Sequence, residues 1–152
     1  GEPGNGWQQV TSELAYERSG PERFLSSFRV FVELVRICGD SPSPHQAAAI
    51  GRIASHFMTL RRMSLSVAGM LEAGKDVSVE AALVKELGNN FEKLLPEIAR
   101  LVVPDLSAVD PDKQRLFRET FEETLMLSPS FTLRGGAREI MRGVIARGLG
   151  LR

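Results

Sequence analysis

The chain has few of the residues that covalent or metal chemistry needs. It carries one cysteine, Cys38, and two histidines, His45 and His56, in 152 residues. One cysteine excludes an intrachain disulfide framework and a cysteine-rich zinc site, which fits a reducing cytoplasm. Neither histidine has Asp, Glu or Cys at ligand spacing, so no metal role is expected. Net charge is also missing: 19 Lys and Arg balance 19 Asp and Glu. No long-range field therefore recruits nucleic acid or an anionic membrane. No segment approaches the roughly 18 consecutive apolar residues of a membrane span. The start, Gly1-Glu2-Pro3-Gly4-Asn5-Gly6, lacks the basic and apolar regions of a signal peptide and has the composition of a linker. Strand-like alternation is absent as well.

Helical periodicity is abundant in its place. Phe24, Phe28, Phe31, Val35 and Cys38 form one apolar stripe, and Ser19-Gly20-Pro21 ahead of it predicts a kink or break, because proline removes an N–H and crowds the preceding turn. Ser43-Pro44 is a favourable N-cap and first-turn pair for a second stripe of Ile50, Ile53, Phe57, Leu60, Ser64, Val67 and Leu71, which Gly74 ends. A third helix starts at Ser78, with Glu80 in its first turn. It carries Val84, Leu87, Phe91, Leu94, Ile98 and Leu101, and Pro96 should bend it. Asp110-Pro111 caps a fourth, with Phe117, Phe121 and Leu125. A last helix runs from about Ala137 to Arg147. Helices striped on one face must pack on one another. The fold class expected is all-α: an up-down four-helix bundle with an additional short C-terminal helix. One domain suffices for this length, burying about two thirds of its unfolded surface. Met58, Met63 and Met70 read most simply as core filler, with a promiscuous peptide groove as the second reading.

Two separated motifs carry a family resemblance. The C-terminal string Ser128-Pro129-Ser130-Phe131-Thr132-Leu133-Arg134-Gly135-Gly136-Ala137-Arg138-Glu139-Ile140-Met141-Arg142 resembles the C-terminal signature of the acyl-CoA dehydrogenases. Gly6-Trp7, followed by Leu14-Ala15-Tyr16-Glu17-Arg18, is similar to the start of the same helical domain. The resemblance implies that residues 1–6 are a linker from a missing upstream domain and that residues 7–152 are the family's C-terminal helical bundle. It implies FAD as cofactor, an acyl-CoA thioester as substrate and a separate electron-transfer acceptor. A homo-oligomer, dimer or tetramer, is implied too. This piece alone is expected to hold FAD weakly or not at all and to be inactive.

In that family a glutamate abstracts the α-proton while the β-hydrogen leaves as hydride to the flavin. The commoner place for it, just before the motif's second glycine, is Gly135 here. The alternative place is the Glu of Leu-x-x-Glu-Arg, which makes Glu17 the candidate base; read alone, a Glu-Arg pair on a helix is a solvated face. The same resemblance gives Arg134, Gly135, Gly136 and Glu139 as flavin-binding residues, while Ala137 stands where a threonine is usual. Read from the residues, a glycine pair before a helix N-terminus lets an anion approach backbone N–H groups, or simply opens a helix.

Arg134, Arg138, Arg142, Arg147 and Arg152 face the single acid Glu139 in this stretch. Either the acidic segment from Asp105 to Glu123 packs beside them, or some bind phosphates of FAD or CoA. Lys85 matches a family lysine and equally fits a surface helix. The family's Arg-x-x-Phe-Gly and Gln-x-x-Gly-Gly stretches are missing, and Val35-Arg36-Ile37-Cys38-Gly39-Asp40 and Ala99-Arg100-Leu101-Val102-Val103-Pro104 stand there. A second reading therefore remains open: a catalytically silent helical-bundle scaffold or partner subunit derived from that fold.

Overall fold

The computed structural model describes residues 1–151, and all regular structure among them is helical. The order is α1 (Gly6–Ser19), α2 (Glu22–Leu25), α3 (Phe28–Cys38), α4 (Pro44–Glu72), α5 (Ser78–Val102), α6 (Pro111–Leu127) and α7 (Arg138–Gly148). Short 3₁₀ turns occupy Leu106–Ala108 and Ser130–Leu133. No helix is long and apolar enough to cross a membrane among these residues. Arg152, counted above with the C-terminal arginines, lies outside the described residues.

Local chemistry sets most of the boundaries. Ser43 and Gln46 make a reciprocal capping box ahead of Pro44, so two backbone donors of α4 that the helix leaves unpaired are satisfied. The Asp110 carboxylate accepts from the N–H groups of Asp112 and Lys113 at the start of α6. Pro21 separates α1 from α2, as its geometry requires. Pro96 sits inside α5 without ending it, and the helix continues to Val102.

At the centre is α5, which packs against all six other helices. Phe57 on α4 meets Phe91 on α5 edge to face at 4.8 Å, and Val30, Leu34, Ile53, Leu95 and Phe117 complete the main core. A second core of Val67, Val77, Ala81 and Val84 lies against Ala15 of α1. Higher numbers on α4 therefore pair with lower numbers on α5, so the two run antiparallel. Gly88 is where α2 rests on α5: a methyl group there would lie 2.7 Å from the Arg23 carbonyl oxygen.

Three expectations need correction. The first stripe is out of phase, because a further break at Ser26–Ser27 resets the helix. Val30, Leu34 and Ile37 are buried, whereas Phe28 and Val35 stay largely exposed. Phe28 and Phe31 close over the edge of Phe57 at 5.1 and 5.3 Å. In α6, Thr120 and Thr124 continue the buried face below Phe117, their hydroxyls donating to Leu116 and Thr120 carbonyls, while Leu125 is exposed. The third correction concerns α5. Leu87, Leu94 and Leu101 are exposed, and the opposite polar stripe of Lys85, Asn89 and Glu92 is fully buried. A helix in the middle of the molecule has no free polar face, so its charges had to find partners inside.

Candidate functional site

Residues 130–142 lie along the buried polar side of α5, and ion pairs fasten them there. The Arg134 guanidinium donates to both oxygens of Glu92 at 2.9 and 3.1 Å and to the Ser26 hydroxyl at 2.9 Å, and it lies over the Phe131 ring. Nearly two turns toward the N-terminus of α5, Glu86 accepts from Arg138 and Arg142 at 3.0 Å each. Arg134, Arg138 and Arg142 are thus neutralised by Glu86 and Glu92 of α5. The acidic segment 105–123 is not among these partners. Burial pushes the Glu92 carboxyl up despite the arginine beside it. At the less buried Glu86, burial also pushes upward, but hydrogen bonds from Arg138 and Arg142 prevail and hold it below the usual carboxylate range.

Gly135 and Gly136 turn the chain between these two pairs with φ of +69° and +106°, conformations that side chains with a Cβ rarely adopt. The turn closes on α1, where Arg18 Nε donates to the Gly135 carbonyl at 3.0 Å across 117 residues of sequence. A methyl group on Gly135 would lie 3.4 Å from Glu17 Oε1, 3.3 Å from Arg18 Cγ and 3.2 Å from Lys85 Cε. Glu17 and the Gly135-Gly136 turn, from opposite ends of the chain, therefore share one point.

Cations surround that point. Fully buried Arg23 donates twice to the Glu17 backbone carbonyl and places Nη2 3.6 Å from its carboxylate. Lys85 is also fully buried. Its ammonium donates to the Thr132 carbonyl at 3.3 Å and, with the Asn89 amide turned to suit its neighbours, to the Asn89 side-chain oxygen at 2.8 Å. Burial, with the charges of Arg23 and Arg18, lowers its pKa to about 8.

Of the predicted site residues, Glu17 and Gly135 meet, with Gly136 in the same turn, whereas the Arg134 side chain is turned to Glu92 and Ser26 and Glu139 points to solvent in the first turn of α7. Sequence reasoning missed Arg23, Glu86 and Glu92. The Lys85, Asn89 and Glu92 stripe at i, i+4 and i+7 was the available signal, since it has the period of a single helix face.

The arrangement can hold a carboxylate in a field of fixed cations and can lock the C-terminal segment to α5. It leaves little for a flavin phosphate. The guanidinium groups of Arg134, Arg138 and Arg142 are bound to glutamates of this chain, and the open sides of both glycines face protein atoms. No group of three His, Cys, Asp or Glu side chains is placed to hold a metal among the described residues. Compared with known proteins, the chain matches no family model, no curated protein and no solved structure.

Proposed function

We propose that the chain is the C-terminal helical domain of an FAD-dependent acyl-CoA dehydrogenase, an enzyme that oxidises the α,β bond of an acyl-CoA thioester and passes electrons to a separate acceptor. The observation that carries the reading is the meeting of Glu17 with Gly135. These are the two positions at which the family it resembles keeps its base, and they lie at opposite ends of this sequence. An ancestral choice between them needs both to reach the same substrate carbon, and their adjacency here satisfies that requirement.

In this reading the Glu17 carboxylate takes the α-proton and α1 forms one wall of the acyl pocket. Because Arg134, Arg138 and Arg142 are already paired internally, the flavin is held by parts of the parent enzyme outside this chain, and residues 1–6 lead from them. The finer architecture proposed is an up-down four-helix bundle of α3, α4, α5 and α6, with α7 added. Support comes from the packing of α4 on α5, α5 on α6, α6 on α3 and α3 on α4. The parent works in the cytoplasm as a homo-oligomer.

The silent-scaffold reading has its own observation. Glu17 is 41% exposed and faces Arg23, where a carbon-acid base is expected in an apolar, desolvated pocket. An absorbance spectrum of the natural protein purified at full length separates the two. Stoichiometric bound flavin supports the enzyme; a colourless protein with no flavin after reconstitution supports the scaffold.

A further inference from the structure

Among the largest fully buried side chains is an arginine, Arg23 on α2. A buried guanidinium is costly unless its donors find partners. Among the described residues, both hydrogen bonds of this one go to a single group, the Glu17 backbone carbonyl, from Nε at 3.2 Å and Nη2 at 2.9 Å, while Nη1 has no partner. The local sequence leaves that carbonyl in need of a donor. Its helical partner would be the N–H four residues on, and that residue is Pro21, which has none; the chain has also left the helix at Gly20, with ψ of 164°. Two of the last carbonyls of α1 are therefore satisfied from outside the helix, that of Ser19 by the Ser64 hydroxyl at 2.6 Å and that of Glu17 by Arg23.

Arg23 is itself held in place. A Cβ on Gly88 would lie 2.7 Å from the Arg23 carbonyl oxygen and 2.9 Å from the Arg23 Cβ, so α5 presses directly on this residue. From that seat Nη2 lies 3.6 Å from Glu17 Oε1, near enough to attract the carboxylate and outside hydrogen-bond reach. The same oxygen faces the Gly135 turn, where a Cβ would lie 3.4 Å from it. A carboxylate held by charge without a hydrogen bond keeps its lone pairs for a proton. From this geometry we infer that Arg23 is the positioning residue of Glu17: it replaces the hydrogen bond that Pro21 deletes and keeps the carboxylate at the Gly135 turn. The inference rests on the reading of Glu17 as the base and adds the residue through which that base is placed. An aliphatic side chain could fill the seat, but it would leave the Glu17 carbonyl without a donor and the carboxylate, already 41% exposed, free to turn into solvent.

The test is acyl-CoA turnover per bound flavin in the full-length natural protein, for Glu17→Gln, Arg23→Met, Arg23→Lys and the double variants that combine each arginine change with Glu17→Gln. Arg23→Met should lower kcat by about tenfold to a hundredfold, the usual result of displacing a reacting group by about 1 Å, and change KM by less than about threefold. Arg23→Lys keeps the charge and one donor, so its fall in kcat should be smaller. In the Glu17→Gln background neither arginine change should lower kcat further, because each acts only through that carboxylate. A merely structural arginine would instead reduce the amount of folded, flavin-bearing protein and leave turnover per flavin as it was. Should Arg23→Met fail to fold by circular dichroism, Arg23→Lys with and without Glu17→Gln carries the same comparison. Unchanged kcat in the folded arginine variants, a change in KM alone, or losses that multiply in the double variants would overturn the inference and leave the reading of Glu17 as base standing. Unchanged turnover in Glu17→Gln, or a full-length protein without flavin, would overturn that reading and this inference with it.

Discussion

Replacing Arg134 by methionine would strand the Glu92 carboxylate. Glu92 is fully buried, and Arg134 supplies two of its hydrogen bonds while also reaching Ser26 and the Phe131 ring. Removing one member of a buried pair costs about 3–5 kcal/mol, because the remaining charge loses its partner but not its desolvation. The arginine side chain is about one third exposed, which puts the expectation at the lower end, about 3 kcal/mol. For a chain of this length that is a fall in Tm of about 6–12 °C.

Acidity should modulate the loss. The Glu92 carboxyl is pushed above its ordinary value even with the arginine present, so the folded chain binds this proton more tightly than the unfolded chain does. Its contribution to stability is fully present below the unfolded value and is lost as pH rises through the folded one. Without Arg134 the carboxyl moves further up. The deficit should then be full at pH 7 and shrink on acidification toward the ordinary carboxylate range. Thermal melts of Arg134→Met, Glu92→Gln and the double variant at pH 7 and pH 5 measure it, with the double variant recovering much of the single loss. A cost below about 1 kcal/mol, the range of a surface pair, and equal at both pH values, would refute the reasoning.

Glycine positions offer a contrast. Gly135→Ala places a Cβ at positive φ against Lys85, Arg18 and Glu17 and should cost at least about 1–2 kcal/mol. By comparison, Gly51→Ala on the open face of α4 should stabilise by about 0.5–1 kcal/mol; chemical denaturation of both tests the pair. Lys85, with a pKa lowered to about 8, binds its proton less tightly in the folded chain. Its contribution to stability is therefore present above the unfolded lysine range and lost as pH falls through about 8. Lys85→Met should remove that slope, so the stability difference between variant and wild type should shift in favour of wild type as pH rises from 8 to 10, and a difference independent of pH would count against a buried ammonium.

Helix positions were legible in the sequence wherever short-range chemistry decides them. Ser43-Pro44, Asp110-Pro111, Ser78 and Gly20-Pro21 mark boundaries that the structure keeps, because caps and prolines act within one turn. The inward faces were harder to read. In α3, apolar residues occupy most of the circumference, so two stripes were equally good and tertiary packing against α4 and α6 chose Val30, Leu34 and Ile37. For α5 the usual rule that leucines face inward fails at Leu87, Leu94 and Leu101, because a central helix is surrounded and the Glu92 of its polar stripe is matched by Arg134, 42 residues away. Periodicity cannot show such long-range partners. The same limit hid Arg23, Glu86 and Glu92 from the candidate site, whereas Glu17 and Gly135 became visible only as members of two motifs.

The most direct test of the proposed function is steady-state turnover of the full-length natural protein carrying Glu17→Gln, with flavin content measured on the same preparation. Glutamine keeps the size and the polar contacts but cannot accept the α-proton. If Glu17 is the base, acyl-CoA oxidation should fall by about a hundredfold to ten-thousandfold while flavin content stays the same. Unchanged turnover with full flavin would contradict the account, as would a wild-type protein that binds no flavin and oxidises no acyl-CoA.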